Sequence, residues 1–201
     1  FLNDKNIDSI GNDKTVLGTG LSIEIDSRNH MLFPTRGVYW LLEGWNFPDP
    51  FQKSRPFQKV VGDFRFFFGD TLVKDFVFGL RFKAEKLHGG YPFYEAAFLG
   101  GGQSLRGFRV QRYAGDVSVL ASVDLRVSAF RMTILVPTEI GVLALADAGR
   151  IWLNNVSPGG WHTDVGGGLW FAPISRDLIL SVSAASSVDG LLVNGGVGFA
   201  F

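Results

Sequence analysis

The stretch Val117–Phe130, VSVLASVDLRVSAF, alternates in polarity along most of its length. Val119, Ala121, Val123, Leu125 and Val127 fall on one side, and Ser118, Ser122, Asp124, Arg126 and Ser128 on the other. A two-residue period is the mark of a strand with unlike faces, because successive side chains of a strand point to opposite sides. The same pattern recurs on either side of it. Asp75–Glu85 sets Phe76, Phe78, Leu80, Phe82 and Ala84 against Asp75, Arg81, Lys83 and Glu85. Gln58–Phe68 sets Val60, Phe64, Phe66 and Phe68 against Lys59, Asp63 and Arg65. Thr15–Ser27 sets Leu17, Leu21, Ile23 and Ile25 against Ser22, Glu24 and Asp26. The last segment places Leu191, Val193, Val197, Phe199 and Phe201 on one face. Gly37–Trp45, Glu139–Trp152, Val165–Phe171 and Leu178–Ala185 complete nine strand candidates, and no helical stripe interrupts them.

Alternation alone fits a soluble sandwich or a membrane barrel, since each buries one face of its strands. Three features favour the barrel: Phe-rich apolar faces, opposite faces carrying charges of both signs, and an aromatic residue at the end of the last strand. Composition agrees. The 201 residues are 46% hydrophobic and 19% charged, with 19 Phe and 26 Gly, which is too apolar for a disordered tail. No run approaches the roughly 18 uncharged residues of a membrane helix, whereas a membrane strand needs only about 9–11. The net charge of zero leaves no electrostatic footprint for nucleic acid. The absence of cysteine excludes disulfides, thiolate metal sites and a Cys nucleophile. The polar start, FLNDKNIDSIGNDK, has no signal-peptide hydrophobic region, so an export signal would lie upstream.

Between the strands, Gly89–Asp116 is long and aromatic, and a loop of that length is usually functional. If it lies outside the cell, Gly69–Asp75, Met132–Thr138 and Ala172–Asp177 become short periplasmic turns. Nine is an odd number, and closed single-chain bacterial barrels have even strand counts. Either Phe1–Asn12 supplies another strand or the chain is the C-terminal part of a longer barrel; we favour the second. The expected division is 1–14 as an N-terminal loop or extra strand and 15–201 as barrel strands, with 89–116 folded into the lumen. The fold class expected is all-β, a transmembrane antiparallel β-barrel, with this chain the C-terminal portion of a longer one.

Four motifs, in order, resemble the bacterial surface antigen family. That family's barrel is shared by BamA- and TamA-type assembly proteins, two-partner-secretion transporters and patatin-like outer-membrane phospholipases. Asp26-Ser-Arg28 with Phe33-Pro34-Thr-Arg-Gly37 resembles its Asp-x-Arg turn. Leu105-Arg106-Gly107-Phe108 resembles its arginine–glycine–aromatic motif at the tip of a loop that returns into the lumen. Asp147 and Gly149, in the run Ala146–Trp152, resemble its Asp-x-Gly-x-x-Trp motif. Phe199-Ala-Phe201 resembles its terminal aromatic targeting signal. Tyr91-Pro-Phe-Tyr94 and Arg112-Tyr113 look more like the patatin-linked or domain-poor branch, and Asp124 stands where many members have Glu.

The resemblance implies that Arg106 reaches into the lumen and meets Asp124 and Asp147, both on polar faces by parity. A planar guanidinium forms paired hydrogen bonds to carboxylates that Lys cannot reproduce. Gly107 would permit the backbone turn, and Phe108 would anchor the tip. The plainer alternative is a solvated Arg106 above ordinary lumen-lining acids. Other motifs fall away. Gly102–Arg106 is one residue short of a nucleophile elbow, and Gly102–Gly107 lacks the Lys and Ser/Thr of a phosphate loop. His30, His88 and His162 have no metal-ligand spacing. Trp40, Trp45, Trp152, Trp161 and Trp170 fall near strand ends, as interfacial anchors would, and packing under loops is the equal alternative for each alone.

The resulting expectation is a non-enzymatic barrel in the outer membrane of a Gram-negative bacterium, without metal or cofactor. This chain is its C-terminal portion, and the resemblance implies a whole barrel of about 16 strands. It would act in protein insertion or translocation. Its expected partners are outer-membrane lipid, lipopolysaccharide and client outer-membrane or secreted proteins. Two other readings stand beside it: the anchor or exporter of an attached patatin-like lipase, and a passive pore.

Overall fold

The computed structural model describes residues 7–8, 17–48, 55–70, 76–133 and 136–201. Their strands are β1 (Ile7–Asp8), β2 (Thr19–Asp26), β3 (Gly37–Phe47), β4 (Phe57–Asp70), β5 (Phe76–Gly89), β6 (Tyr91–Pro92), β7 (Ala97–Leu99), β8 (Tyr113–Gly115), β9 (Val117–Thr133), β10 (Pro137–Trp152), β11 (Trp161–Pro173), β12 (Leu180–Ser187) and β13 (Gly190–Val197). Nine of them form one antiparallel sheet in the order β2-β3-β4-β5-β9-β10-β11-β12-β13. Each wall strand therefore pairs with the next wall strand in sequence, the up-and-down order that short turns permit.

All nine strand candidates of the sequence are wall strands, with ends shifted by a few residues. The long connection is not structureless. It carries β6, a 3-10 turn at Phe93–Glu95, and the antiparallel pair β7–β8. The described part of the N-terminal segment, β1, pairs in parallel with β6 inside that connection and adds no strand to the wall. Expectations concerning residues 1–6, 9–16, 71–75 and 134–135 lie outside the described residues. They include the remainder of Phe1–Asn12 and the centres of two short turns.

The two faces of the wall invert the rule of a soluble protein. Phe64, Phe66, Phe68, Phe82, Leu125, Val142, Leu169 and Val182 are exposed on the outer face. Asp63, Arg81, Glu85, Asp124, Arg126, Asp147 and Asp164 are buried on the inner one. Water on both sides would make that arrangement costly, because it exposes large rings and desolvates charge. A lipid exterior removes the first cost, and ion pairs among the inner charges offset the second. The dimension also fits: β5 advances ten residues from Phe76 to Lys86, which at about 3.3 Å each and about 40° of tilt rises roughly 25 Å, the height of an outer-membrane apolar band. No described helix is long and apolar enough to cross a membrane.

Inside the wall, three apolar clusters divide the space. At the short-turn end, Phe33, Val77, Leu143, Leu145, Trp170, Ala172, Ile179 and Ala185 pack together, with Phe199 against them. At the opposite end, Phe57, Leu87, Tyr91, Ala96 and Ala97 seat the base of the long loop. Between them, Leu99, Leu105, Phe108, Leu120 and Ile151 hold its tip.

Two expectations need correction here. Trp170 is not an interfacial anchor: it is fully buried on the inner face, 5.2 Å from the Phe33 ring centroid and 6.2 Å from that of Phe199. Trp45 also lies on the inner side, stacked on Phe47 at 6.3 Å. The reason is parity, since both residues continue the inward rows of β11 and β3. The second correction concerns the last segment. β13 ends at Val197, and Gly198 adopts φ +80°, a left-handed conformation that favours glycine. Phe199 and Phe201 therefore leave the outward row of Leu191, Val193 and Val197 and turn into the interior. Phe201 is buried there against Phe67, at a 6.1 Å ring separation.

Candidate functional site

The tip of the long loop is wound by its own main chain before it meets the wall. Gly101 N donates to Leu105 O and Phe108 O, Ser104 N to Gly101 O, and Phe108 N to Leu105 O. Gly100 and Gly101 have φ of +113° and +102°, which only glycine adopts without strain. This winding buries Leu105 and Phe108 among Leu99, Leu120 and Ile151 and directs the side chain between them at the sheet.

That side chain is Arg106, and it joins two strands. Its Nε and Nη2 donate to the Asp147 carboxylate of β10, both at 2.7 Å, and its backbone N donates to the same carboxylate at 3.1 Å. Its Nη1 donates to Asp124 Oδ1 of β9 at 2.5 Å. Asp124 spans two cations, because its Oδ2 accepts from Arg126 Nη2 at 3.0 Å. The side chains of Arg106, Asp124, Asp147 and Arg126 are at most 2% exposed. Burial opposes the charge on Arg106, but the Asp147 hydrogen bonds and the charges of Asp124 and Asp147 outweigh it and push its pKa upward. The guanidinium is thus permanently charged and held in a two-pronged fork.

Main-chain contacts extend the grip across the sheet. Arg81 Nη1 of β5 donates to Gln103 O at 2.9 Å. Asn194 Nδ2 of β13 donates to Arg106 O at 2.9 Å, and Ser187 Oγ of β12 to Gly107 O at 2.7 Å. At the loop exit, Arg112 Nε meets Asp189 of the β12–β13 turn at 2.6 Å. At the base, Tyr91 OH donates to Asp116, whose other oxygen accepts from Asn154 N at 2.6 Å. One ten-residue tip therefore touches strands on both halves of the wall.

The glycines of the two motifs act through space rather than through torsion. Gly107 does not have a positive φ, so the expected turn role is not what requires it. A Cβ there would sit 2.6 Å from Asp164 Cβ and 3.1 Å from Ser187 Cβ. Both neighbours are backbone-tethered atoms that cannot swing away. Gly149, two residues beyond Asp147 and on the same face, leaves room for the tip: a Cβ there would lie 3.0 Å from Leu99 Cδ1 and 3.2 Å from the Leu105 methyls. Gly107→Ala is accordingly expected to weaken loop docking by about 1–3 kcal/mol through overpacking. Amide exchange over residues 99–113 reads this directly, and unchanged protection would show that the tip tolerates the methyl group.

Besides Arg81 and Ser187, three residues of the site escaped sequence reasoning. Arg126 is fully buried; it donates to Phe201 O at 2.9 Å and lies 3.9 Å from the Phe199 ring centroid. Asp164 faces Asp147 directly in the β10–β11 register, beneath Gly107, and its oxygens find no hydrogen-bond partner among the described residues. Asn194 holds the Arg106 carbonyl. Parity marks all three as inward, but only the curvature of the wall brings them to the loop.

The remaining sequence-selected residues lie elsewhere. Asp26 accepts from Arg28 N, Nε and Nη2 at 3.0, 2.9 and 2.7 Å, which closes the turn after β2. Pro34 is buried beside Phe33, and Gly37 (φ +115°) passes so close to Arg28 Cα that a Cβ there would lie 2.7 Å from it. This turn braces the short-turn end and does not touch Arg106. Phe199 and Phe201 lie between the two, on Trp170 and on Arg126. No cluster of His, Cys, Asp or Glu suited to a metal ion occurs among the described residues.

An apolar exterior, a charged interior and a loop clamped inside by a buried arginine define a class: outer-membrane β-barrels with an inward-folded loop. The sequence profile of the Omp85 superfamily domain matches residues 3–178, and the chain belongs to that superfamily. Its barrels reside in the outer membrane. Among solved structures, the chain is similar in fold to the crystal structure of BamA from Haemophilus ducreyi lacking POTRA domains 1-3, with a TM-score of 0.70 at 16% identity. The match covers 90% of this chain and 42% of that one, so the chain spans less than half its length. No curated protein sequence matches.

Proposed function

We propose that this chain contributes the loop-bearing wall of an outer-membrane barrel that inserts or translocates proteins. The observation that carries the reading is the Arg106 clamp. A passive pore has no need of a loop tip tied by a fully buried ion network to β9 and β10 and by hydrogen bonds to β5, β12 and β13. Such a clamp gives the interior two arrangements, loop docked and loop released, and a transporter of large clients requires the second. The wall also has a weak edge. β13 is eight residues long against 17 for β9, and its Gly195 and Gly196 contribute no side-chain packing. Client outer-membrane or secreted proteins would use that edge.

The test uses the full-length protein in lipid vesicles, with a disulfide or bifunctional cross-link tying β13 to whatever strand adjoins its free edge. Client insertion or translocation should stop on cross-linking and return on reduction. Unchanged transport would refute movement at this edge. Steady conductance with no transport by the uncross-linked protein would favour the passive pore, and hydrolytic activity from an attached domain would favour the anchor reading.

A further inference from the structure

Among the described residues, the outer face of the wall carries cations only where its apolar band stops. In β5 the outward row is Phe76, Phe78, Leu80, Phe82 and Ala84, and then Lys86 and His88. In β10 it is Val142, Ala144, Ala146 and Ala148, and then Arg150 and Trp152. Register brings these strand ends together. Lys86 and Trp152 flank Val117 in one cross-strand row, and Arg150 neighbours Val119 and Trp161 in the next. Lys86 and His88 are exposed, and no carboxylate pairs with Lys86, His88 or Arg150 among the described residues. Arg150 is held in place, with its Nε donating to Ser157 Oγ at 2.9 Å and its guanidinium carbon 5.0 Å from the Trp152 ring centroid and 6.0 Å from that of Trp161.

Beside this row lies a cavity of about 680 Å³, lined among others by Lys86, His88, Asp116, Val119, Trp152 and Asn155. Asp116 is the one acid in its lining, and both its oxygens are already engaged, by Tyr91 OH and Asn154 N. An ammonium group and an imidazole thus line one cavity together with an indole, and the Arg150 guanidinium lies over that indole, one step beyond the lipid-facing rows. That depth is where headgroups sit, and tryptophan is enriched there because one part of the ring is apolar and the other polar.

We infer that Lys86, His88, Arg150, Trp152 and Trp161 form a binding site on the outer wall for the phosphate of a phosphorylated lipid headgroup. The lipid's acyl chains lie along the apolar rows below, Ala84 and Phe82 on β5 and Ala148 and Ala146 on β10. A soluble anion would be held by the same cations, but only a membrane-anchored one is also concentrated at this depth. The site is independent of whether the barrel moves proteins; it rests on the outer-membrane placement of the wall and on the charges at its rim.

The experiment measures binding of three probes to the full-length protein in uncharged detergent by native mass spectrometry: diphosphorylated lipid A, its dephosphorylated form and inorganic phosphate. Lipid A should bind in defined stoichiometry. Lys86→Gln with Arg150→Gln should weaken it by about tenfold or more, the scale of two lost charge-assisted contacts. Arg36→Gln, at the other end of the wall, should leave it unchanged. Folding of each variant is checked by heat-dependent gel mobility. Equal binding of the dephosphorylated lipid would overturn the proposal, as would an undiminished double variant or an equal loss in Arg36→Gln. Inorganic phosphate binding as tightly as lipid A would show a free-anion site and overturn the lipid assignment.

Discussion

Replacing Arg106 by alanine should release the long loop from the wall without unfolding the wall itself. The substitution removes one cation from a network in which every member is buried. Asp124 keeps Arg126 at 3.0 Å, but Asp147 is left without its only guanidinium partner among the described residues and directly opposite Asp164 in the register. Breaking one side of such a buried pair costs about 3–5 kcal/mol, because the surviving charge remains desolvated. Applied to the docking equilibrium of the loop, that is a shift of about a hundred- to several-thousand-fold. Amide exchange over residues 99–113 and proteolysis at the exposed Arg109 and Arg112 should both accelerate, while exchange in β9 and β10 changes little. Arg106→Lys should recover only part of the protection, since a point charge cannot serve Asp124 and the two-pronged contact to Asp147 together. Arg106→Leu combined with Asp147→Leu should recover more than either single change, because an apolar pair leaves no orphaned charge. Equal loop protection in Arg106→Ala and the parent protein would sink the clamp.

Trp170→Ala should act on the other side of this division, destabilising the wall while leaving the loop docked. The indole is fully buried, packed on Phe33 and Phe199, with Nε1 donating to Val142 O at 3.3 Å. Gly141 leaves the neighbouring strand bare beneath it, so β10 offers no side chain to fill the space. Removing a buried tryptophan costs about 3–5 kcal/mol, and the cavity cannot collapse in a wall fixed by backbone pairing on both sides. The midpoint of heat-dependent gel mobility should fall by roughly 10 °C. Trp170→Phe should lose less. A midpoint that stays put would mean that the Phe33–Trp170–Phe199 cluster bears little of the stability of the wall. Parallel loss of loop protection would show that the two regions are one cooperative unit.

These two expected results mark how far the sequence could be read. The alternation of Val117–Ser128 tells which residues of β9 face inward, as far as the bulge where β10 pairs with Ser128 and Phe130 and passes over Ala129. Beyond it the exposed Phe130 takes the face opposite to its parity. The same arithmetic holds for Asp147 in β10. It works because every strand has one lipid face and one polar face, so a one-residue error would put a charge in lipid. Arithmetic of this kind fails wherever the chain leaves the strand. Phe199 and Phe201 share the parity of Leu191, Val193 and Val197, yet Gly198 turns them inward to Trp170 and Arg126. Trp170 is ambiguous in the sequence for a related reason: nearness to a strand end fits both an interfacial position and internal packing until the inward row is followed to it.

The reasons behind the motif glycines were also out of reach. A glycine next to an arginine in a loop suggests a torsional need, whereas Gly107 is required by the closeness of Asp164 on β11 and Ser187 on β12. Those residues are 57 and 80 positions away. Asn194 and Arg81, which hold main-chain oxygens on either side of the tip, carry no local signal of that role either.

What the sequence determined by itself is the division into strands, the face taken by residues within regular strand and the lipid-seeking exterior, because these depend on a period of two and on burial alone. The tertiary structure decided which inward charges meet. Arg106 finds Asp124 and Asp147 because curvature of the wall carries β9 and β10 beneath a loop tip that reaches toward β13. Contacts across that curved interior depend on distances in space, and no spacing along the chain encodes them.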